Sequence, residues 1–238
     1  VPYVAAHPVE FQTLDQWGAS DRGLLPVEST IMVAIPELDG SSSPIVFGGR
    51  PGAAGVTCTG CSHACNFQES DNAKDMHACP ERAAMLAARV LKLVALRRSE
   101  RAQRKVAIVI FNFPPNAGNI GSAAYLSVFE SLFHTLTSMK AQGYKVDLPE
   151  SIDALRDSVL KGNAAQHGAD ANVHTLISAE DHVRRERWLQ EIEGQWGPAP
   201  GRQLSNGNSI LVLGKQFGNV LVCVQPGMGF EGDPMRLL

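Results

Sequence analysis

Apolar residues fall in short runs and helical stripes that alternate along the chain. Val106-Ala107-Ile108-Val109-Ile110-Phe111 is unbroken by polar residues, which predicts a strand covered on both faces. A Pro/Asn/Gly loop follows. Tyr125, Val128, Phe129, Leu132, Phe133, Leu136 and Met139 then recur at helical spacing, which predicts a helix over residues 121–141 with these side chains in the core. Gly143 ends it, Tyr144-Lys145-Val146 reads as a short strand, and residues 151–160 form a second amphipathic helix. Helical material over residues 180–195 leads into a Pro/Gly turn. Ile210-Leu211-Val212-Leu213 and Val220-Leu221-Val222-Cys223-Val224 read as two strands joined by a turn around Phe217-Gly218.

The N-terminal part is less regular. Residues 1–25 are rich in turn formers, with Phe11 and Trp17 as expected anchors. Thr30-Ile31-Met32-Val33-Ala34-Ile35 precedes Pro36 and predicts a buried strand that delivers Glu37 at its C-terminal end. Ile45-Val46-Phe47 predicts a second short strand, and Gly48-Gly49 a turn. Residues 51–79 form a long polar loop with four of the five cysteines, and loops of that length in compact domains are usually functional. Pro80 suits the first turn of a helix. Ala84, Ala87, Ala88, Leu91, Val94 and Ala95 give that helix an inward face to about Arg97. The basic residues Arg97, Arg98, Arg101, Arg104 and Lys105 then read as a solvated, dipole-compensating end, with a phosphate or partner site as the alternative.

Alternating strands and helices predict an α/β fold: layered α/β with a largely parallel sheet, plus the long Cys-rich loop. Three segments follow, namely residues 1–50, the insertion 51–79, and an α/β part over 80–238. No internal repeat or low-complexity tract is present. With 238 residues and 44% apolar content, the chain can bury a substantial core. Its 21 Lys plus Arg against 24 Asp plus Glu leave a formal net charge of -3. That balance does not point to nucleic acid. No apolar run approaches the ~18 residues of a membrane span. A signal peptide is not expected, and the chain opens mid-motif on Val1. It is expected to be a piece of a larger soluble, cytoplasmic protein.

Three places carry candidate chemistry. Phe111-Asn112-Phe113-Pro114-Pro115-Asn116-Ala117-Gly118-Asn119-Ile120-Gly121 lies where open α/β sheets bind ligands, between a strand's C-terminal end and a helix N-terminus. Its backbone N–H groups could receive an anion, or Asn119 could simply cap the helix. It is not a Walker A loop, since no Gly-Lys-Ser/Thr follows. The second place is Cys58-x-x-Cys61-x-x-x-Cys65 with Cys79-Pro80. Four such thiols suit a 4Fe-4S cluster or tetrahedral zinc, with His63 and His77 nearby for a mixed zinc site. Free thiols in a mobile loop are the third reading. The remaining Cys223 sits in a predicted strand as a small hydrophobe. The third place is a pair of acidic turns, Pro36-Glu37-Leu38-Asp39-Gly40 and Glu231-Gly232-Asp233-Pro234-Met235-Arg236-Leu237-Leu238. Such turns suit a proton or a hard cation, or plain Asx-turn chemistry at Asp39 and Asp233.

The order and spacing of several stretches resemble the CobN/magnesium chelatase family, and within it the large porphyrin-binding (H) subunit of magnesium chelatase. They are Ala5-Ala6-His7-Pro8, Glu10-Phe11-Gln12, Pro44-Ile45-Val46-Phe47-Gly48-Gly49-Arg50, the 113–121 stretch, Gln195-Trp196-Gly197, Val224-Gln225-Pro226 and the final eight residues. The resemblance covers nearly the whole chain. It implies magnesium insertion into protoporphyrin IX for (bacterio)chlorophyll synthesis, with ATP bound and hydrolysed by partner AAA+ motor (I) and D subunits. Insertion must remove pyrrole protons and strip water from an ion that dehydrates reluctantly. The resemblance therefore points to Glu37, Glu231 and Asp233 as catalytic carboxylates. Asn116, Asn119, Gly121, Arg50 and Arg236 are the candidate porphyrin-binding residues. His7, among apolar neighbours, reads first as a structural histidine. In the family, further histidines follow the Glu-Gly-Asp-Pro-Met-Arg-Leu-Leu motif, so the chain alone is expected to hold part of the site and to be inactive. Family members of oxygenic phototrophs are expected to have a shorter segment at the cysteine loop, without the cysteines. The loop is therefore expected to serve structure or redox sensing rather than chelation. Two alternatives remain: a cobaltochelatase large subunit, or a metal-stapled docking domain that does not touch porphyrin.

Overall fold

The computed structural model describes residues 3–61, 63–68, 76–112, 120–121, 123, 125–201 and 204–226. Two compact units make up the chain, residues 1–98 and 99–238. The sequence segmentation placed the helix after Cys79 with the C-terminal part. That helix belongs to the first unit, because its Arg82 donates through Nε to Val46 O at 3.1 Å.

In the first unit, β1 (Val4–Thr13) leads into the short α1 (Leu14–Gly18). Next come α2 (Pro26–Ser29), a π-helical turn (Thr30–Ala34) and α3 (Ile35–Leu38), continuous with one another. The expected strand over residues 30–35 is therefore helical. Pro26 opens the first turn, and the Glu28 carboxylate reaches back to accept from Leu25 N at 3.0 Å, a helix-start signal that outweighs the β-branched run. Pro36 has no donor for the carbonyl four residues earlier, and Met32, which carries it, lies inside the π turn.

β2 (Ser42–Arg50) pairs parallel with β1 and antiparallel with β3 (His77–Ala78). The Gly48-Gly49 pair is strand, not turn. A Cβ on Gly49 would lie 2.3 Å from Val9 Cγ2, and one on Gly48 would lie 2.5 Å from His77 O. These glycines let neighbouring strands close in from both sides. Residues 1–25, expected to be irregular, thus hold a strand and a helix. Phe11 is exposed, whereas Trp17 packs against a core of Val9, Leu14, Met32, Val46 and Phe67. The helix α4 (Pro80–Arg98) starts at Pro80 as expected. Its intended inward face is open: Leu91 is 68% exposed and Val94 37%.

The second unit is an α/β layer. Its elements are β4 (Val106–Ile110), α5 (Val128–Ala141), α6 (Ile152–Leu160), α7 (Ala164–His167), β5 (Val173–Ser178), α8 (Ala179–Arg185), α9 (Leu189–Trp196), β6 (Ser205–Asn206), β7 (Ser209–Phe217) and β8 (Val220–Val224). The sheet order is β4-β8-β7-β5, with β6 paired to β7. Among the described residues, only β4 and β8 run parallel in it. The layered α/β class stands, but the sheets are mixed rather than largely parallel. The tight β7–β8 hairpin makes that pair antiparallel.

β4 is covered on one face only. Ile110 is buried, while Val109 is 62% and Phe111 52% exposed. Leu132, Leu136, Leu155 and Val159 of α5 and α6 pack against Val220 and Val222 of β8. The helix expected from residue 121 begins at Val128, after Tyr125 with a left-handed φ of 61° and a fully exposed side chain. Tyr144-Lys145-Val146 is not a strand, although Lys145 O accepts from Asn219 N at 2.9 Å. Ser151 caps α6 by accepting from Ala154 N at 3.1 Å, as the sequence suggests. The basic cluster after α4 is tied down locally: Arg104 contacts Ser99 and Tyr144, and Arg101 donates to Gln142 O.

Candidate functional site

The four cysteines of the long loop meet. Cys58, Cys61, Cys65 and Cys79 line one cavity of about 80 Å³, together with Trp17, Phe67, Glu81 and Arg82. Local structure explains how three of them come from one loop. Thr57 and Asn66 form an antiparallel bridge, and Thr57 Oγ1 donates to Asn66 Oδ1 at 2.8 Å. Inside that neck Cys58 N donates to Cys65 O at 2.9 Å, so the chain between them is a closed hairpin-like loop. Cys79 arrives from the other side. Its N–H donates to Phe47 O at 3.0 Å, and its carbonyl accepts from Ala83 N at 2.9 Å at the start of α4. The loop lies against α1 through a glycine–glycine contact. A Cβ on Gly60 would fall 2.6 Å from Gly18 Cα, and one on Gly18 would fall 3.2 Å from Cys58 Sγ. Side chains at either position would push the loop off α1.

The thiols feel one another. Burial pushes the Cys61 thiol above its ordinary value, opposed by a hydrogen bond from the His63 backbone and reinforced by Glu81 and Cys79. Burial likewise raises Cys65, and the charges of Cys79 and Cys58 add to the effect. At Cys61 and Cys65 the neighbouring sulfur charges thus add to the effect of burial, a balance that a bound cation reverses. The chemistry of the set fits a thiophilic metal centre. Among the described residues, no three His, Cys, Asp or Glu side chains are arranged to grip a single ion. Zinc–sulfur bonds of ~2.3 Å would draw four thiolates tightly together. A cluster interposes several irons and sulfides and holds its cysteines further apart. His77, a candidate zinc ligand, instead packs edge-on against Phe67 with ring centroids 5.5 Å apart.

A second cavity, of about 240 Å³, shares a wall with the first. Trp17 and Arg82 line both. The Arg82 guanidinium lies 5.4 Å from the Trp17 ring centroid, a cation–π contact. His7 reaches this cavity, and its Nε2 is buried with no hydrogen-bond partner among the described residues. Close by, Glu28 is 0% exposed. Its carboxylate accepts from Phe11 N at 3.3 Å, Leu25 N at 3.0 Å and Gln12 Nε2 at 2.5 Å. Those bonds satisfy the buried charge, so Glu28 is an organiser of β1 and the following turns.

The CobN/Magnesium Chelatase family profile matches residues 1–238. The chain belongs to the CobN/magnesium chelatase family. It is 53% identical to the H subunit of magnesium chelatase from Cereibacter sphaeroides, an alignment that covers 100% of this chain and 20% of that protein. Against the Aerobic cobaltochelatase subunit CobN of a Sinorhizobium species, identity is 29% over 92% of this chain and 17% of the relative. The solved Catalytic Subunit of Cobaltochelatase from Mycobacterium tuberculosis shares the fold. Its TM-score is 0.64 at 24% identity, over 94% of this chain and 18% of that one. The chain thus spans about a fifth of the length of the curated relatives it matches.

Of the catalytic and porphyrin-binding residues expected in this CobN/magnesium chelatase segment, Glu37, Arg50 and Gly121 fall among the described residues. Glu37 is exposed in the last turn of α3, just before the turn at Asp39 and Gly40, and not at the end of a strand. Arg50 is exposed at the end of β2, opposite Thr13. Gly121 has a φ of 72°, donates its N–H to Phe111 O at 2.9 Å, and sits close to Ile110 and Phe129. Asn116, Asn119, Glu231, Asp233 and Arg236 lie outside the described residues. Near the candidate anion loop, Asn112 is buried and its Oδ1 has no partner among the described residues. Reasoning from sequence missed Glu28 and Arg82. Glu28 could have been found from its place two residues after Pro26; nothing in the spacing marked Arg82. No helix among the described residues is long and apolar enough to cross a membrane.

Proposed function

We propose that the chain is a segment of the porphyrin-binding subunit of an ATP-dependent magnesium chelatase. That enzyme inserts Mg²⁺ into protoporphyrin IX for (bacterio)chlorophyll synthesis in the cytoplasm. The observation that carries this reading is the 53% identity to a magnesium-chelatase H subunit along the entire chain. With 29% identity to cobaltochelatase CobN, the cobalt enzyme is the second reading. ATP is bound and hydrolysed by partner I and D subunits, in keeping with the absence of a Walker A motif in the chain. Glu37, Glu231 and Asp233 supply carboxylates that accept pyrrole protons or the incoming ion, and Asn116, Asn119, Gly121, Arg50 and Arg236 receive the porphyrin. The solvent position of Glu37 suits a group that completes its site against the rest of the subunit.

The four-cysteine cavity is the proposed seat of a 4Fe-4S cluster, with Cys58, Cys61, Cys65 and Cys79 as ligands. When bound, such a centre supplies one-electron redox sensitivity and ties the loop to α1 and α4. Four thiols lining one cavity support a centre held by soft ligands. Anaerobic purification of the full subunit with iron, zinc and sulfide analysis tests it. About four irons with a visible absorption that bleaches in air are expected. One zinc without colour replaces the cluster by a structural staple. The chelatase reading itself is tested by reconstituting the subunit with its motor partners, ATP, Mg²⁺ and deuteroporphyrin. Growth of magnesium-porphyrin fluorescence supports it, and insertion of cobalt but not magnesium overturns it.

A further inference from the structure

The larger cavity beside the cysteines is explained by neither the acidic turns nor the metal centre. We propose that it receives the propionate-bearing edge of a tetrapyrrole, with Arg82 and His7 as partners of the carboxylate. The inference rests on the porphyrin-binding reading above and adds a location that the candidate residues of the sequence did not include.

Size comes first. About 240 Å³ is less than the roughly 300–1,000 Å³ of pockets that enclose a whole drug-sized ligand, so one edge of a large flat ring fits better than the entire ring. Composition comes next. Leu24, Met32 and Ile45 give apolar walls, and Trp17 adds an aromatic surface. Two nitrogen groups break that apolar lining. His7 Nε2 is buried and unpartnered among the described residues, an arrangement that is costly unless something arrives to meet it. Arg82 is held in place by Val46 O and by Trp17, and no ion pair joins it to a carboxylate among the described residues.

A purely apolar ligand has no use for an imidazole and a guanidinium, and a phosphate has no use for the apolar walls. A flat apolar ring carrying a carboxylate uses both. The guanidinium forms charge-assisted bonds with carboxylates, and the Nε2–H tautomer of His7 adds a second donor. Because Trp17 and Arg82 also line the cysteine cavity, occupants of the two cavities touch the same pair of side chains.

The test compares deuteroporphyrin IX with its dimethyl ester in the full-length subunit that carries this segment. Binding is read by quenching of protein fluorescence, with both ligands solubilised identically. Arg82→Gln should weaken the diacid about tenfold or more and leave the ester nearly unchanged, since a hydrogen bond to a charged partner is lost only for the acid. Arg82→Lys should retain most of the preference for the diacid. Val33→Trp, which fills the cavity from its wall, should weaken both ligands. An Arg82→Gln variant that keeps the full preference for the diacid overturns the proposal. So does equal weakening of both ligands by Arg82→Gln, the result of a merely structural role. Wild-type binding that ignores both Arg82→Gln and Val33→Trp overturns the cavity alone and leaves the porphyrin-binding reading in place. Absence of wild-type binding overturns that reading and the cavity with it.

Discussion

Replacing Gly60 by Ala isolates the contact that seats the cysteine loop. The new Cβ would lie 2.6 Å from Gly18 Cα and 3.4 Å from Gly18 C, and the atoms it meets are backbone, with no side chain free to swing away. Gly60 has no positive φ, so its own backbone accepts alanine without strain. The whole penalty is therefore the displacement of the loop from α1. Overpacking of this kind costs about 1–3 kcal/mol. Because Cys58 and Cys61 flank the glycine within the loop, the displacement should also spread the thiols. Gly194→Ala is the matched control. It lies in α9 of the second unit with nothing within 4 Å of the added methyl, and should leave the stability of the first unit unchanged. Denaturant unfolding of the metal-free chain, followed through Trp17 after Trp188 and Trp196 are replaced by Phe, reads the first unit. Gly60→Ala should lower its stability and reduce metal loading of the full subunit. Wild-type stability together with wild-type metal content in Gly60→Ala would refute the reasoning that this contact positions the cysteines.

Three further outcomes are expected. Cys61 and Cys65 have folded-state values raised above the ordinary 9.0, so the stability they lend the metal-free chain is complete below that value. It is lost as pH climbs through their raised values; thermal melts across the alkaline range should show the loss, and Cys61→Ser with Cys65→Ser should flatten it. Asp181 is held below its ordinary 3.8, first by a hydrogen bond with Ser178 and then by Arg184. Ser178→Ala should cost about 1 kcal/mol of capping and raise the Asp181 titration midpoint in an NMR pH series. Glu37→Gln should reduce magnesium insertion by the reconstituted enzyme and leave porphyrin affinity nearly unchanged. Normal insertion would remove Glu37 from the acid–base and metal roles.

Much of the second unit is legible from periodicity, because its helices and strands carry their own start and stop signals. Ser151, for example, announces α6, and Gly218 sits in the β7–β8 turn. The first unit is harder to read. Residues 30–35 look like a strand by composition, yet Pro26 and Glu28 start a helix that runs through them. Gly48-Gly49 look like a turn, yet they are strand positions defined by how closely Val9 and His77 approach. Such close approaches belong to tertiary packing and leave no local pattern. The same holds for the site. Cysteine spacing suggested that four thiols belong together, and they share a cavity. Arg82 and His7 acquire meaning only once folding places them around a common space with Trp17.

The measurement that tests the central claim most directly is a segment exchange. This chain would replace the corresponding stretch of the magnesium-chelatase H subunit of Cereibacter sphaeroides, to which it is 53% identical, and the chimera would be assayed with its motor partners and ATP. A working segment of a magnesium chelatase should support magnesium insertion into deuteroporphyrin, and Glu37→Gln should depress that activity. A chimera that folds and binds its partners but inserts no magnesium would contradict the account.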